Sequence, residues 1–190
     1  MADVEKRKKV LIGDLQDRDP EIRNLSAEAL ERLQIRLSLD RMVSKMRNGE
    51  MIEKVTVIYA LADLKGQAII DVIAGSLKDP SEDVRSAAVR ALGSMGDDRV
   101  LPHLVESLHD THPVVVRSAI DAMARYTDAR LLGPLMHALK NKDSGVVERA
   151  LDVISRIGDR KAEDAMIHFA VKGNMRMRAI AVRALGVMDC

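Results

Sequence analysis

A chain of 190 residues that is 47% hydrophobic and 31% charged is long enough to bury an apolar core, and with two Tyr, one Phe and no Trp that core has to be aliphatic. Its 30 Lys and Arg residues balance 29 Asp and Glu, leaving a formal net charge of +1, so no global field draws in nucleic acid or an anionic membrane. A single cysteine, Cys190, excludes an internal disulfide and points to a reducing, cytoplasmic setting, and no apolar run reaches membrane-spanning length. The opening residues Met1 to Lys9 lack the apolar segment of a signal peptide, and Cys190 at the last position does not fit a prenylation box.

In chain order, the charge-rich segment Glu5 to Lys9 reads as the solvated face of a first helix and as a terminal cap. Asp19-Pro20 then introduces a helix carrying Ile22, Arg23, Ala29, Leu30 and Leu33, with Pro in the first turn, where no backbone donor is needed. A weaker copy of the same element spans Lys54 to Leu64. Ile69, Ile70, Ile73 and Leu77 recur with helical spacing, and Asp79-Pro80 leads into the clearest copy, Val84 to Asp97. Val100, Leu101, Leu104, Val105 and Leu108 repeat the preceding apolar frame until Asp110 to Pro113 breaks it. A second helix near Val116 follows, with Ile120, Met123 and Tyr126, ending at Thr127-Asp128. Leu131, Leu132, Leu135 and Leu139 precede the copy Val146 to Asp159; Ala162, Ala165, Met166 and Phe169 precede Met177 to Gly186. Gly96-Asp97 and Gly158-Asp159 predict left-handed helix ends followed by caps.

Ala88, Ala119, Ala150 and Ala181 stand 31 residues apart, and Ala91, Ala122 and Ala184 hold the same frame. A fixed period of this length predicts an all-α fold, a right-handed solenoid of six two-helix units over 4–34, 35–65, 66–96, 97–127, 128–158 and 159–190, forming one domain. The alanines mark seams where neighbouring hairpins come close. Met42, Met46, Met95, Met123, Met136, Met166 and Met188 fill core positions in that frame.

The run Asp79-Pro80 through Arg85, Ala87, Ala88, Ala91, Leu92, Gly93, Met95 and Asp97 resembles the HEAT-like repeat family, in the short form found in phycobilisome-lyase-type proteins. The resemblance covers nearly the whole chain and implies a helical scaffold with a partner surface on its concave, second-helix face. It also implies a ladder of repeat arginines. Lys54 stands in that position in the second unit, and Val116 and Val147 in the fourth and fifth, so the ladder is expected to be incomplete.

The exposed second-helix register, read outward from Glu82, Asp83, Ser86, Arg90 and Ser94, yields an uneven surface. The second unit contributes Met51, Ile52, Val55 and Tyr59. Glu82, Asp83 and Arg90 follow, then Val114, Arg117, Asp121 and Arg125, then Glu148, Asp152 and Arg156. An apolar anchor beside mixed charges suits a protein partner, with Tyr59 and Val55 at its centre, Ile52 in the same patch, and Glu82, Asp83, Arg90, Arg117, Asp121, Glu148 and Asp152 around it; a slightly shifted repeat would instead place Ile52 and Val55 in the core. Alternating sign and missing aromatics speak against nucleic acid. The last unit keeps Ile180, Ala181, Val182, Ala184, Leu185 and Met188 near its end, which predicts contact with a second copy, as a homodimer, or with a partner.

Chemistry finds little purchase. His137 and His168 lie one repeat apart with Glu106 one repeat earlier, but a third ligand would sit two helices away, so no metal site is expected. His109 and His112 flank a loop. HEAT-like hydroxylases use His-Glu dipeptides, and none of the five histidines is followed by Glu. No nucleophile elbow, phosphate loop or dinucleotide fingerprint occurs. The reading is a non-enzymatic adaptor without a cofactor; the alternative is a regulatory or bilin-lyase-type subunit acting on a cofactor-bearing protein, which the scarcity of aromatics disfavours.

Overall fold

In a computed structural model, residues 2–64, 66–126 and 128–187 are described; they form α-helices joined by short turns, with no strand. Thr127, Met188, Asp189 and Cys190 lie outside the described residues. The chain divides into two compact units, 1–50 and 51–190.

The first unit is a pair of helices, α1 (Ala2–Asp14) and α2 (Pro20–Asn48). Asp19 caps α2 by accepting from the Glu21 backbone N–H at 2.8 Å, and Pro20 occupies the first turn as its fixed φ favours. Arg23 folds back to donate to the carbonyls of Asp17 and Arg18 at 2.8 and 3.0 Å. Residues 34 and 35, between which the 31-residue period places a boundary, both lie inside α2. Neither Gly nor Pro occurs between Glu21 and Asn48, so nothing interrupts a helix 29 residues long, about 43 Å at 1.5 Å per residue.

The second unit holds α3 (Met51–Ala62), α4 (Gln67–Gly75), α5 (Glu82–Ser94), α6 (Leu101–Glu106), α7 (Pro113–Met123), α8 (Leu132–Ala138), α9 (Ser144–Ile157), α10 (Glu163–Lys172) and α11 (Met175–Leu185). Second helices pack in succession, α3 on α5, α5 on α7, α7 on α9 and α9 on α11. First helices fill the space behind them: Ile70, Ile73, Leu101, Leu104, Leu132, Leu135 and Met166 are buried. Each such side chain contributes about 1.5–3 kcal/mol through removal from water. All seven alanines of the frame are buried. At Gly93 the seam is tighter still, for a Cβ there would overlap that of Ala122. Of the methionines in the frame, Met46, Met123 and Met166 are buried, while Met42, Met95 and Met136 are half-buried.

Gly96 and Gly158 adopt φ of +64° and +69°, the left-handed conformation that Gly reaches without steric cost. Asp97, Asp128 and Asp159 then cap the next turn, accepting from the backbone N–H two residues on at 3.0, 2.8 and 2.9 Å. The Arg99 side chain and backbone N–H donate to the Asp97 carboxyl and lower it to about 2. Arg130 does the same for Asp128, which also lies below its ordinary value.

The arginine ladder is more complete than the sequence suggests. Lys54 Nζ reaches Asp79 at 2.8 Å, Arg85 grips Asp110 through Nε and Nη2 at 2.7 and 3.0 Å, and Arg117 reaches both Asp143 oxygens at 3.1 Å. Each cation sits on a second helix, and each carboxylate lies in the loop leading to the next second helix. Val116 does not break the series, because the rung moves one residue along α7: Val116 is buried in the core and Arg117 reaches Asp143. Ser86, expected at the surface, is buried against Ser118, with hydroxyl oxygens 2.9 Å apart. In the last rung the polarity inverts, since Glu148 is the acceptor on the helix and Asn174 Nδ2 donates from the loop at 3.0 Å. Burial raises the Asp110 carboxyl, but the Arg85 hydrogen bonds, the His112 N–H and the Arg85 charge outweigh it, leaving the group below the ordinary carboxylate value.

Candidate functional site

The outward side of α3, α5, α7, α9 and α11 is the candidate docking surface. One column of it repeats at the 31-residue period: Tyr59, Arg90, Asp121, Asp152 and Arg183. Arg90 Nε donates to Tyr59 Oη at 3.1 Å, tying α3 to α5 across the seam. At the α3 end Ile52 is 73% exposed and Tyr59 42%, while Val55 is half-buried between them and the core. Ile52 is thus a large aliphatic side chain left open to water on the helix that also carries Tyr59.

The charged candidates fall into three groups. Arg117 and Glu148 belong to the ladder, half-buried and held by Asp143 and Asn174. Glu82 lies on α5 with His112 Nε2 3.9 Å from its carboxylate, and Asp83 beside it is exposed. Asp121 and Asp152 come together with Glu148 around a groove of about 520 Å³ on α7, α9 and α11. Four arginines complete its rim, Arg149, Arg156, Arg176 and Arg183, and Ala179 and Ile180 supply its apolar lining. Arg149 Nε donates to Asp121 at 3.0 Å, and Arg156 Nη2 to Asp152 at 2.6 Å. Arg176 approaches Glu148 only to 3.5 Å, and Arg183 makes no ion pair among the described residues.

Period reading placed Asp121, Glu148 and Asp152 on this surface but missed Arg149, Arg176 and Arg183 as members of one groove. Extending the frame by one more unit carries Asp152 onto Arg183, so the signal for that residue was present. Arg149 was hidden because a groove between helices takes residues from both flanks of the outward stripe.

On the first helices, the ring near His137 is that of His109, with centroids 6.1 Å apart and tilted planes. Among the described residues no three His, Cys, Asp or Glu side chains are grouped as metal ligands, and no helix is long and apolar enough to cross a membrane. In the last unit Ala181 and Ala184 are buried and Ile180 and Leu185 half-buried, whereas Val182 is 60% exposed.

The family model for HEAT repeats matches residues 39–124 and again 108–186, most of the 190 residues. The chain belongs to the HEAT-repeat family. Its fold is shared with human deoxyhypusine hydroxylase, at a TM-score of 0.61 and 18% identity over 83% of this chain; the HEAT-repeat chain spans 65% of that enzyme's length. The complex of CpcE and CpcF of phycocyanin lyase from Nostoc sp. superposes at a TM-score of 0.59 with 15% identity, over 78% of this chain and 98% of that one. A computationally designed armadillo repeat protein for modular peptide recognition superposes at 0.58 with 17% identity, covering 94% of this chain and 98% of the design. No match was found among curated protein sequences. At these identities the likeness establishes the α-solenoid architecture.

Proposed function

We propose that this HEAT-repeat protein is a cytoplasmic, non-enzymatic adaptor that holds a segment of a partner protein against its second-helix face, with Ile52 and Tyr59 as the anchor. The observation that carries the reading is the exposure of Ile52 beside Tyr59 at one end of a face built from successive second helices. An apolar anchor ringed by charge is the composition of a binding hot spot, where a Tyr and a large aliphatic group lose water together. Val55 supports the anchor from beneath, half-buried. Asp83, Arg90, Asp121 and Asp152 supply the polar surround. The similar designed repeat protein was made for modular peptide recognition, and the same arrangement of helices supports an extended peptide as the ligand.

The test is affinity capture from native cell extract with the full chain and with an Ile52→Asp, Tyr59→Ala variant, followed by mass spectrometry. Both residues are exposed, so helical content should be unchanged by circular dichroism. Loss of a stoichiometric partner in the variant is the expected result. Retention of the same partners by a folded variant would remove the anchor from this reading.

A further inference from the structure

The groove on α7, α9 and α11 carries four arginines against three carboxylates, and two of the guanidinium groups are loosely engaged among the described residues. All three of its carboxylates are already engaged: Asp121 by Arg149, Asp152 by Arg156 and Glu148 by Asn174. Two guanidinium groups remain. Arg183 has no ion-pair partner among the described residues, and Arg176, 78% exposed, reaches only the Glu148 oxygen that Asn174 leaves free, at 3.5 Å through Nε. Each guanidinium presents five N–H donors in a planar fork matched to a carboxylate, and no acceptor. A ligand that completes this groove therefore has to bring acceptors with negative charge.

We infer that the groove binds a short cluster of Asp or Glu side chains in the same partner segment whose apolar residue sits on Ile52 and Tyr59. This rests on the adaptor reading and makes it specific. No aromatic ring lines the groove to stack a base, and its arginines outnumber its carboxylates by only one, too few to neutralise a continuous run of phosphates, so a short acidic cluster in a peptide fits better than nucleic acid. Helices α3 and α11 are separated by four packing steps, α3 to α5 to α7 to α9 to α11. At about 8–10 Å per step the two subsites lie roughly 32–40 Å apart along the face. An extended chain covers that in about 10–12 residues at 3.3 Å each. The partner motif is thus bipartite: a bulky apolar residue and an acidic cluster about ten positions from it.

Random 16-residue peptides displayed on phage and selected on the immobilised full chain test this. The expected winners carry clustered Asp or Glu about ten positions from a bulky apolar residue. Selection on the variant Arg176→Gln with Arg183→Glu should keep the apolar residue and lose the acidic cluster. A synthetic winner should bind that variant about tenfold more weakly at 50 mM salt by fluorescence anisotropy, with the gap closing at 500 mM as screening shortens. Arg178→Glu changes charge on the same helix outside the groove lining and should cost less than about threefold, since rim charges act mainly at close range. Winners without acidic enrichment, or enrichment that survives in the double variant, overturn the inference while leaving the adaptor reading intact. If no peptide is selected, both fall, and a gel shift with a 30-base-pair duplex at low salt would then assign the arginines to nucleic acid.

Discussion

Replacing Arg85 by Ala removes the best-formed rung of the ladder. Arg85 makes two hydrogen bonds to Asp110, at 2.7 and 3.0 Å, and two to the carbonyls of Asp79 and Pro80, at 2.9 and 3.0 Å. Its side chain is 14% exposed and that of Asp110 is 11%, so water does not readily replace the lost guanidinium. Stranding one member of a buried pair costs about 3–5 kcal/mol, and the residual exposure together with the His112 N–H that Asp110 retains brings the figure to about 3 kcal/mol. The melting temperature should fall by about 6–12 °C for a unit of this size. Urea titration followed by circular dichroism measures the change, with Arg149→Ala as the comparison. The Arg149 pair with Asp121 is 44% and 59% exposed, and its loss should cost about 0–0.5 kcal/mol. A double-mutant cycle of Arg85 and Asp110 should return a coupling above about 1.5 kcal/mol. If Arg85→Ala is no more damaging than Arg149→Ala, the ladder does not hold the repeats together and the argument fails.

Gly93→Ala should destabilise by about 1–3 kcal/mol, because its Cβ overlaps that of Ala122, and Ala122→Gly should recover part of the loss in the same melt. Asp97, Asp110, Asp128 and Asp143 all lie below the ordinary carboxylate value of 3.8 when folded; their contribution is complete above that value and is lost as pH falls through the folded range. Unfolding free energy should therefore be insensitive to these groups above about pH 5 and drop between about pH 4 and 2; a profile flat to pH 2 would contradict the assignment. Asn174→Asp should cost about 1–2 kcal/mol by setting a carboxylate against Glu148, although Asp caps α11 as well as Asn does, and adding Glu148→Arg should restore stability by giving the rung the polarity of the other three.

The repeat was legible in the sequence because the seam tolerates only small side chains. Ala88, Ala119, Ala150 and Ala181 keep the period since any larger residue meets the next helix, and Gly96 and Gly158 keep it since their φ is positive. The ladder was not legible by counting. Asp79 and Asp110 are 31 residues apart, but Asp110 and Asp143 are 33, so a fixed frame lands on Val116 when the geometry uses Arg117. A hydrogen bond between repeats depends on where two loops and a helix meet, and the acceptor shifts within the loop, Asp110 standing three residues before α7 and Asp143 one before α9, without disturbing the apolar pattern. The run through α2 was hidden for the opposite reason. Its apolar residues kept recurring, and only the lack of a breaking residue distinguishes one long helix from two short ones. The exposure of Ile52 and Tyr59 was readable from the register, whereas Val55 is half-buried, and Arg149, Arg176 and Arg183 become a group only when adjacent helices are placed side by side.

The inverted rung and the basic groove are two aspects of one change. In the first three rungs the cation on the second helix is consumed by the carboxylate of the following loop, so the ladder leaves no charge over. In the fourth, a carboxylate, Glu148, takes the helix position and the loop answers with the neutral amide of Asn174. That exchange satisfies the rung by hydrogen bonding while removing the need for a cation within it. Arg176, two residues beyond Asn174, is consequently held at 3.5 Å rather than in a tight fork and remains 78% exposed. Arg183 lies one period beyond Asp152 in the outward column and makes no ion pair among the described residues. A structural ladder that ended as it began would have spent these arginines on stability. By switching polarity at its last step, the array keeps its packing and leaves Arg176 loosely paired and exposed beside Arg183 on the lining of the groove.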